Sequence, residues 1–224
     1  MMKIVVAMKQ IPDLQQIRIR NGQPSFDGVP YALGLIDKNA LEAGLQLKEA
    51  TGGTVVLASV GNEEVEETMK EALAAGADEG YFVLDDDLSD LDSSQSAALL
   101  AELIKQIDDV GIIIFGEGSG DNYSGQVGSR VAELLNLPQV GYASKIEVNG
   151  NTATVTRSLE DAEEVLEVEL PLVVTVLSDI NEPRIPSVTQ ILKAGKKPKN
   201  IFDVSDLGVE VAGKSVSTLS NLAP

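Results

Sequence analysis

Residues 116–128 read Gly116-Glu117-Gly118-Ser119-Gly120-Asp121-Asn122-Tyr123-Ser124-Gly125-Gln126-Val127-Gly128, five glycines in thirteen positions. Such a loop suits a phosphate group, because residues without a Cβ let the backbone come close and the free N–H groups of a following helix face the anion. It follows the most hydrophobic run of the chain, Ile112-Ile113-Ile114-Phe115. Ligands of doubly wound sheets sit at such carboxyl ends of strands. The loop lacks the Gly-Lys-Ser/Thr ending of a P-loop and holds no basic side chain, so spacing alone leaves a nucleotide cradle and a flexible turn both open. A second segment, Gly34-Leu35-Ile36-Asp37-Lys38-Asn39, precedes a helical pattern and could close the same crevice from the other side. Taken alone it is a helix start with Asp37 as its cap. Val60-Gly61 ends a strand, placed either to offer backbone contacts to a base or simply to turn the chain.

Other chemistry is excluded by composition. Cysteine and histidine are absent, which removes disulfides, thiolate zinc sites, thiol nucleophiles and any Ser-His or Cys-His relay. Ser119, Tyr123 and Ser124 are therefore hydroxyls without a histidine base. The acidic run Asp85-Asp86-Asp87 with Asp90 and Asp92 lacks the glycine and bidentate glutamate of a calcium loop and reads as a solvated turn. A net charge of −18 argues against nucleic-acid binding, which needs a Lys/Arg surface. The basic residues gather late, at Lys193, Lys196, Lys197 and Lys199. Just before them, residues 179–193 combine proline punctuation with Val188, Ile191 and Leu192 at the i, i+3, i+4 spacing of a helical anchor set. That segment is either a helix packed on its own domain or a partner-docking surface rimmed by lysines.

The elements that must position these residues follow from periodicity. Apolar, β-branched runs at 4–8, 54–60, 80–84 and 112–115 alternate with helical patterns at 37–49, 63–75, 93–106 and 126–136. Strand and helix in alternation predict an α/β fold with a doubly wound, mostly parallel sheet. From about residue 141 the texture changes to alternating strands at 145–149, 152–157 and 163–169, with Asn149-Gly150 as a hairpin turn. A buried strand follows at 171–177, then an exposed loop with a short basic helix over 181–199, then a peripheral tail. One domain over 1–200 with an arm over 201–224 is expected. No run of 18 apolar residues is present to span a bilayer. Residues 1–7 are too short for a signal-peptide core and read as a first strand, so a cytoplasmic protein with no membrane insertion is expected.

Several segments, in order and nearly end to end, resemble the electron-transfer flavoprotein beta subunits. They are residues 3–13 (Lys3-Ile4-Val5 through Pro12-Asp13), Asp37-Lys38-Asn39-Ala40-Leu41-Glu42-Ala43, Ala72-Leu73-Ala74-Ala75-Gly76-Ala77-Asp78, Gly120-Asp121 with Gln126-Val127-Gly128, Leu137-Pro138-Gln139-Val140, and Asn181-Glu182-Pro183-Arg184. The wording at 178–181 and 185–187 is most similar to the Fix-type branch, which serves anaerobic acyl-CoA or carnitine-type reductions. The resemblance implies a fold like that of the adenine-nucleotide α-hydrolase domains. It also implies an electron-carrier subunit, not an enzyme, paired with an alpha subunit that holds or shares an FAD. This chain would bind AMP, or a second FAD in members that bifurcate electrons from NADH. The implied nucleotide contacts are Ala7, then Gly34, Leu35, Ile36 and Asp37, then Val60, then Gly116, Gly118, Gly120, Asp121, Asn122, Tyr123, Ser124, Gly125, Gln126 and Val127. Asn122-Tyr123-Ser124 departs from the acidic and small residues usual there, and residues 34–37 lack the family's common Asn-Pro. The implied docking segment for an acyl-CoA-type dehydrogenase or reductase runs from Pro183 and Arg184 through Val188, Ile191, Leu192 and Lys193, with Val188 where many relatives carry leucine. An ATP-hydrolysing or ATP-sensing domain of the same fold is the alternative.

Overall fold

The computed structural model describes residues 1–220. β1 (Lys3–Ala7) is apolar without alternation, as a strand covered on both faces must be. Beyond it the chain makes two small antiparallel ribbons from β2 (Gln10–Pro12), β3 (Arg18–Arg20), β4 (Gln23–Ser25) and β5 (Tyr31–Leu33), pairing β2 with β5 and β3 with β4. Asn21 and Gly22, both at positive φ, form the tight turn of the β3–β4 ribbon. α1 (Leu35–Thr51) runs to Gly52, whose left-handed φ of 71° ends it. Strand and helix then alternate through β6 (Thr54–Gly61), α2 (Val65–Ala75), β7 (Glu79–Leu84), α3 (Ser93–Ile104), β8 (Val110–Gly116) and α4 (Val127–Leu135). α3 begins where it does because the Asp92 side chain accepts from Ser94 N and Gln95 N while the Gln95 side chain bonds back to the Asp92 backbone. An antiparallel meander follows: β9 (Gln139–Asn149), β10 (Thr152–Ser158) and β11 (Glu163–Glu169). β12 (Leu172–Val176) returns to the interior, and α5 (Val188–Ala194) and β13 (Lys199–Phe202) complete the regular elements.

One nine-stranded sheet organises them in the order β11-β10-β9-β12-β8-β1-β6-β7-β13. Pairing is parallel from β9 across to β13 and antiparallel only in the β9–β11 meander. Alternate residues of each central strand feed two separate cores. On one face Ile4, Val6, Leu57, Ile112 and Ile114 pack with α1 and α2 residues such as Leu41, Leu45, Met69 and Leu73. On the other, Val5, Val56, Ile113 and Phe115 pack with Leu99, Leu103 and Val131 of α3 and α4. The sheet is thus doubly wound and mostly parallel, as the alternation of patterns predicts, with the antiparallel portion at 139–169. The chain works outward from β1 to β6 and β7, then crosses back to β8 on the other side of β1. That reversal creates a crevice at the carboxyl ends of β1 and β8.

Three details differ from the sequence reading. α1 starts two residues before Asp37: Gly34, extended at φ −61° and ψ 151°, takes the cap position, and Asp37 lies inside the first turn. Its side chain caps nothing because it points into the protein and meets Lys9. The division expected at residue 200 falls inside β13, whose parallel pairing with β7 extends the sheet. Past β13 the arm is strapped across α3: Gln95 Nε2 donates to Ala212 O at 2.9 Å, and Asp92 Oδ2 accepts from Ser215 N at 2.6 Å, Ser215 Oγ at 2.9 Å and Val216 N at 3.2 Å. The last four residues of the expected arm, 221–224, lie outside the described residues. Among the described residues, no helix is long and apolar enough to cross a membrane.

Candidate functional site

Three segments far apart in sequence meet at the crevice. Ala7 ends β1 and is buried between Ala58 and Phe115. Lys9, two residues on, ties the other two segments together: its backbone N–H donates to Asp37 Oδ1 at 3.3 Å and its Nζ lies 2.6 Å from Asp121 Oδ2. The start of α1 and the end of β8 are equally close. A Cβ at Gly116 would lie 2.8 Å from Ile36 Cγ2 and 3.3 Å from the Ile36 carbonyl carbon, so only glycine admits this approach without displacement. Gly118 makes room in the same way for the ring of Tyr123, which folds down over it, and Tyr123 itself has a positive φ of 39°. Gly120 sits against Ile11 and Leu14 of the β2 region, so the first ribbon overhangs the loop.

The electrostatics of the crevice centre on Asp37. The residue is 6% exposed; burial pushes its carboxyl up to about 7, partly opposed by Lys9, while the nearby Asp121 charge pushes it further up. Its Oδ2 is buried without a hydrogen-bond partner among the described residues. A buried acceptor lacking a donor costs free energy, of order 1–3 kcal/mol, unless a proton or a ligand supplies one. Partial burial would raise Asp121, but the bonds from Lys9 and Ser119 outweigh it and hold that carboxyl below its ordinary value. Gln126 takes the cap position of α4 with no side-chain bond to the first-turn N–H groups. Those N–H groups and the positive end of the helix dipole point toward the loop, a setting that favours an anion.

Residues that the sequence reading did not single out complete the site. Glu117 is buried at the start of the loop and accepts a short bond from Thr175 Oγ1 of β12; Thr175 in turn accepts from Tyr142 N at 3.3 Å. With Glu117 N bonded to Val176 O at 2.9 Å, this fixes the root of the glycine loop to β12. A charge directly after an apolar strand was the available signal. Lys9 and Arg130 supply basic groups that the loop itself lacks; Arg130 Nη2 donates to Gln126 Oε1 at 2.9 Å. A groove of about 670 Å³, lined by Ser94, Gly125, Gln126, Ser129 and Arg130 among others, opens between α3 and α4 beside Gly125. Gly34, Leu35, Ile36, Asp37, Gly116, Gly118, Gly120, Asp121 and Tyr123 all lie at this crevice, and Asn122, Ser124, Gly125, Gln126 and Val127 continue the loop to α4. Val60 stands at the carboxyl end of β6, on the far side of β1 from β8.

The second candidate region lies between β12 and β13. Val188 and Leu192 are 75% and 74% exposed, and Ile191 is partly exposed beside them. Ile185, between two prolines, is 92% exposed and is the most open apolar residue of the segment. Pro183 is half-buried, and Arg184 turns back to Glu42 and Glu49 at 2.7 Å each. The lysine rim is thinner than its sequence suggests. Lys193 and Lys196 are exposed, but Lys197 Nζ donates to Leu73 O and Ala77 O at the end of α2, and Lys199 pairs with Glu66.

Comparison with known proteins identifies the family. Residues 26–207 match the electron transfer flavoprotein domain. Among curated relatives, electron transfer flavoprotein subunit beta of Thermoanaerobacterium thermosaccharolyticum is 37% identical over 212 residues, 93% of this chain and 81% of the relative. Caffeyl-CoA reductase-Etf complex subunit CarD of Acetobacterium woodii is 36% identical over 221 residues, 96% of this chain and 84% of the relative. Electron transfer flavoprotein subunit beta of Bacillus subtilis is 35% identical over 227 residues, 100% of this chain and 88% of the relative. The matched region contains the starts of α1 and α4, the glycine loop and the exposed segment before β13, and the chain belongs to the electron-transfer flavoprotein family, as a beta subunit.

Proposed function

We propose that the crevice at the ends of β1 and β8 binds an adenine nucleotide, AMP or the AMP half of a second FAD. The chain then acts with an FAD-holding alpha subunit as an electron carrier for an acyl-CoA-type dehydrogenase or reductase, in the manner of the Fix-type branch and in the cytoplasm. The observation that carries this reading is the buried Oδ2 of Asp37, unpartnered among the described residues, beside a glycine loop that packs closely on the start of α1. Asp37 would accept from a hydroxyl or amino group of the nucleotide. The backbone of 116–125 and the first N–H groups of α4 would take its phosphate, with Lys9 and Arg130 as the nearby cations. A bound flavin supplies the electron chemistry; these residues supply its place, its orientation and its shielding from water.

Delivery of electrons requires the partner to come close, and the exposed apolar residues Ile185, Val188 and Leu192 suit a tip that inserts into a pocket. That CarD belongs to a caffeyl-CoA reductase complex by its name supports a CoA-thioester reductase or dehydrogenase as the partner class. The test is Val188→Asp in the heterodimer. A buried charge at the tip abolishes electron transfer to an acyl-CoA dehydrogenase while bound flavin and nucleotide stay at wild-type levels. Transfer at the wild-type rate, or loss of flavin together with activity, contradicts the docking role.

A further inference from the structure

We propose that Asn39 and Glu42 of α1 are positioning residues for electron delivery: they latch the docking segment to the same helix whose first turn lines the nucleotide crevice. The inference rests on the reading of 183–193 as the docking segment and adds what holds that segment in place. Residues 177–187 form no helix or strand; Leu177 N donates to Ala143 O at 3.1 Å, and beyond that bond the ties from this segment to α1 involve side chains. Asn39 Nδ2 donates to Asn181 O at 2.8 Å, and Asn181 Nδ2 donates back to Asn39 O at 3.0 Å. One turn along α1, Glu42 takes a fork from Arg184, with Nε to Oε2 at 2.7 Å and Nη2 to Oε1 at 2.9 Å, and also accepts from Arg184 N at 3.2 Å. Side chain and backbone of Arg184 are therefore both fixed by one carboxylate.

That carboxylate is not a surface group. Glu42 is 5% exposed, and although burial would raise it, the bonds from Arg184 outweigh burial and hold it below its ordinary value. Forked Arg–carboxylate pairs carry geometric specificity that a loose pair lacks, and here the carboxylate is buried while the guanidinium stays partly exposed. The space left under Pro183, Arg184 and Pro186 is about 20 Å³, close to the size of one water, so the latch is packed against α1 and α2. The other end of the segment is pinned too, by buried Ala194 and by Lys197 on the last carbonyls of α2. With both ends tied, Ile185, Val188 and Leu192 face outward as a preformed tip, and less ordering entropy is lost on docking. Glu42 is five residues from Asp37, about 7.5 Å along the helix axis at 1.5 Å per residue. One rigid helix thus sets the distance between nucleotide crevice and docking tip.

The test uses the heterodimer carrying Glu42→Gln, Arg184→Lys, Arg184→Gln and the double variant Glu42→Gln/Arg184→Gln. Amide hydrogen exchange of 181–194 is read without any partner, and KM and kcat are read with an acyl-CoA dehydrogenase. The latch predicts exchange in 181–194 faster by about ten-fold or more, the size of one lost charge-assisted bond, with peptides of β1 and β8 unchanged. It predicts a KM raised by a similar factor with kcat and bound nucleotide near wild type, and a double variant no worse than Glu42→Gln alone. Arg184→Lys, which keeps the charge but loses the fork, falls between and keeps the proposal testable should Glu42→Gln fold poorly. Unchanged exchange overturns the latch. Additive losses in the double variant overturn it too, because Arg184 would then be touching the partner directly. Faster exchange with an unchanged KM overturns the positioning role, and the Val188→Asp result then decides separately whether the docking segment has been misassigned.

Discussion

Asp37 carries a carboxyl that burial pushes up to about 7, and this makes it the residue whose titration is easiest to isolate. Folded, it holds its proton between about pH 4 and pH 7 where the unfolded chain has released it, so its contribution to stability falls as pH rises through that window. Asp37→Asn removes the titration. The stability of the wild type relative to the variant, measured by urea unfolding at fixed protein concentration without added nucleotide, should drop by up to about 1.4 kcal/mol per pH unit between pH 4 and 7 and level off above. Parallel pH profiles would show that the residue is not buried as described. Asp121, held low by Lys9 and Ser119, links the loop to β1. Asp121→Ala frees Lys9 and loosens the loop, and nucleotide retained after dialysis should fall several-fold, by the size of one charge-assisted bond; unchanged retention would remove Asp121 from the site. Residue identities here were only half legible. The sequence marks Asp37 as polar before a helix, which is the signature of a cap, but whether such a side chain turns outward or inward depends on Lys9, 28 positions away.

At the scale of elements, the reading from sequence is strongest where one face pattern admits one structure. β8, with its unbroken Ile112-Ile113-Ile114-Phe115 closed by a glycine loop, reads as a strand covered on both sides, and the alternation in β10 and β11, joined by short turns, reads as antiparallel with one face open. It is weakest where an element is held by distant partners. The short ribbons of 10–33 show no periodicity long enough to read, and β13 joins the sheet only because β7 presents a free edge. The arm is the clearest case: in the sequence Asp92 reads only as part of a solvated acidic turn, yet it caps α3 and its second oxygen holds Ser215 and Val216, more than 120 positions away. Hydrogen bonds from the α3 start, the largest being from Gln95 N, and then from Ser215 keep the Asp92 carboxyl well below the usual carboxylate range. Asp92→Ala should therefore do two things at once. It frays the first turn of α3, lowering Tm by a few degrees, and it frees the arm, so that limited proteolysis cuts after Lys214 sooner than in the wild type. A lower Tm with unchanged cleavage would mean that Asp92 caps the helix without holding the arm.

For the whole molecule, the doubly wound order brings Ala7, Asp37 and Asp121 to one crevice although they are spread over more than a hundred residues. The glycine loop was visible as a phosphate-type segment, and its place at the switch point followed from strand order. The basic groups beside it were not visible, because Lys9 and Arg130 reach it only through the fold. The docking segment was visible as exposed punctuation with apolar residues. Its attachment to α1 was not, since Asn39 and Glu42 read simply as helix positions. Both regions hang on α1, so the proposed nucleotide site at one end of that helix and the proposed docking tip at its side share one rigid element. The most direct test is to purify the heterodimer with its alpha subunit, release the bound nucleotides by denaturation and count them by chromatography. Two adenine nucleotides per heterodimer, one FAD with one AMP or two FAD, are expected, with the second lost in a variant in which Asp37→Leu blocks the crevice. A single FAD per heterodimer, unchanged by that substitution, would contradict a nucleotide site in this chain.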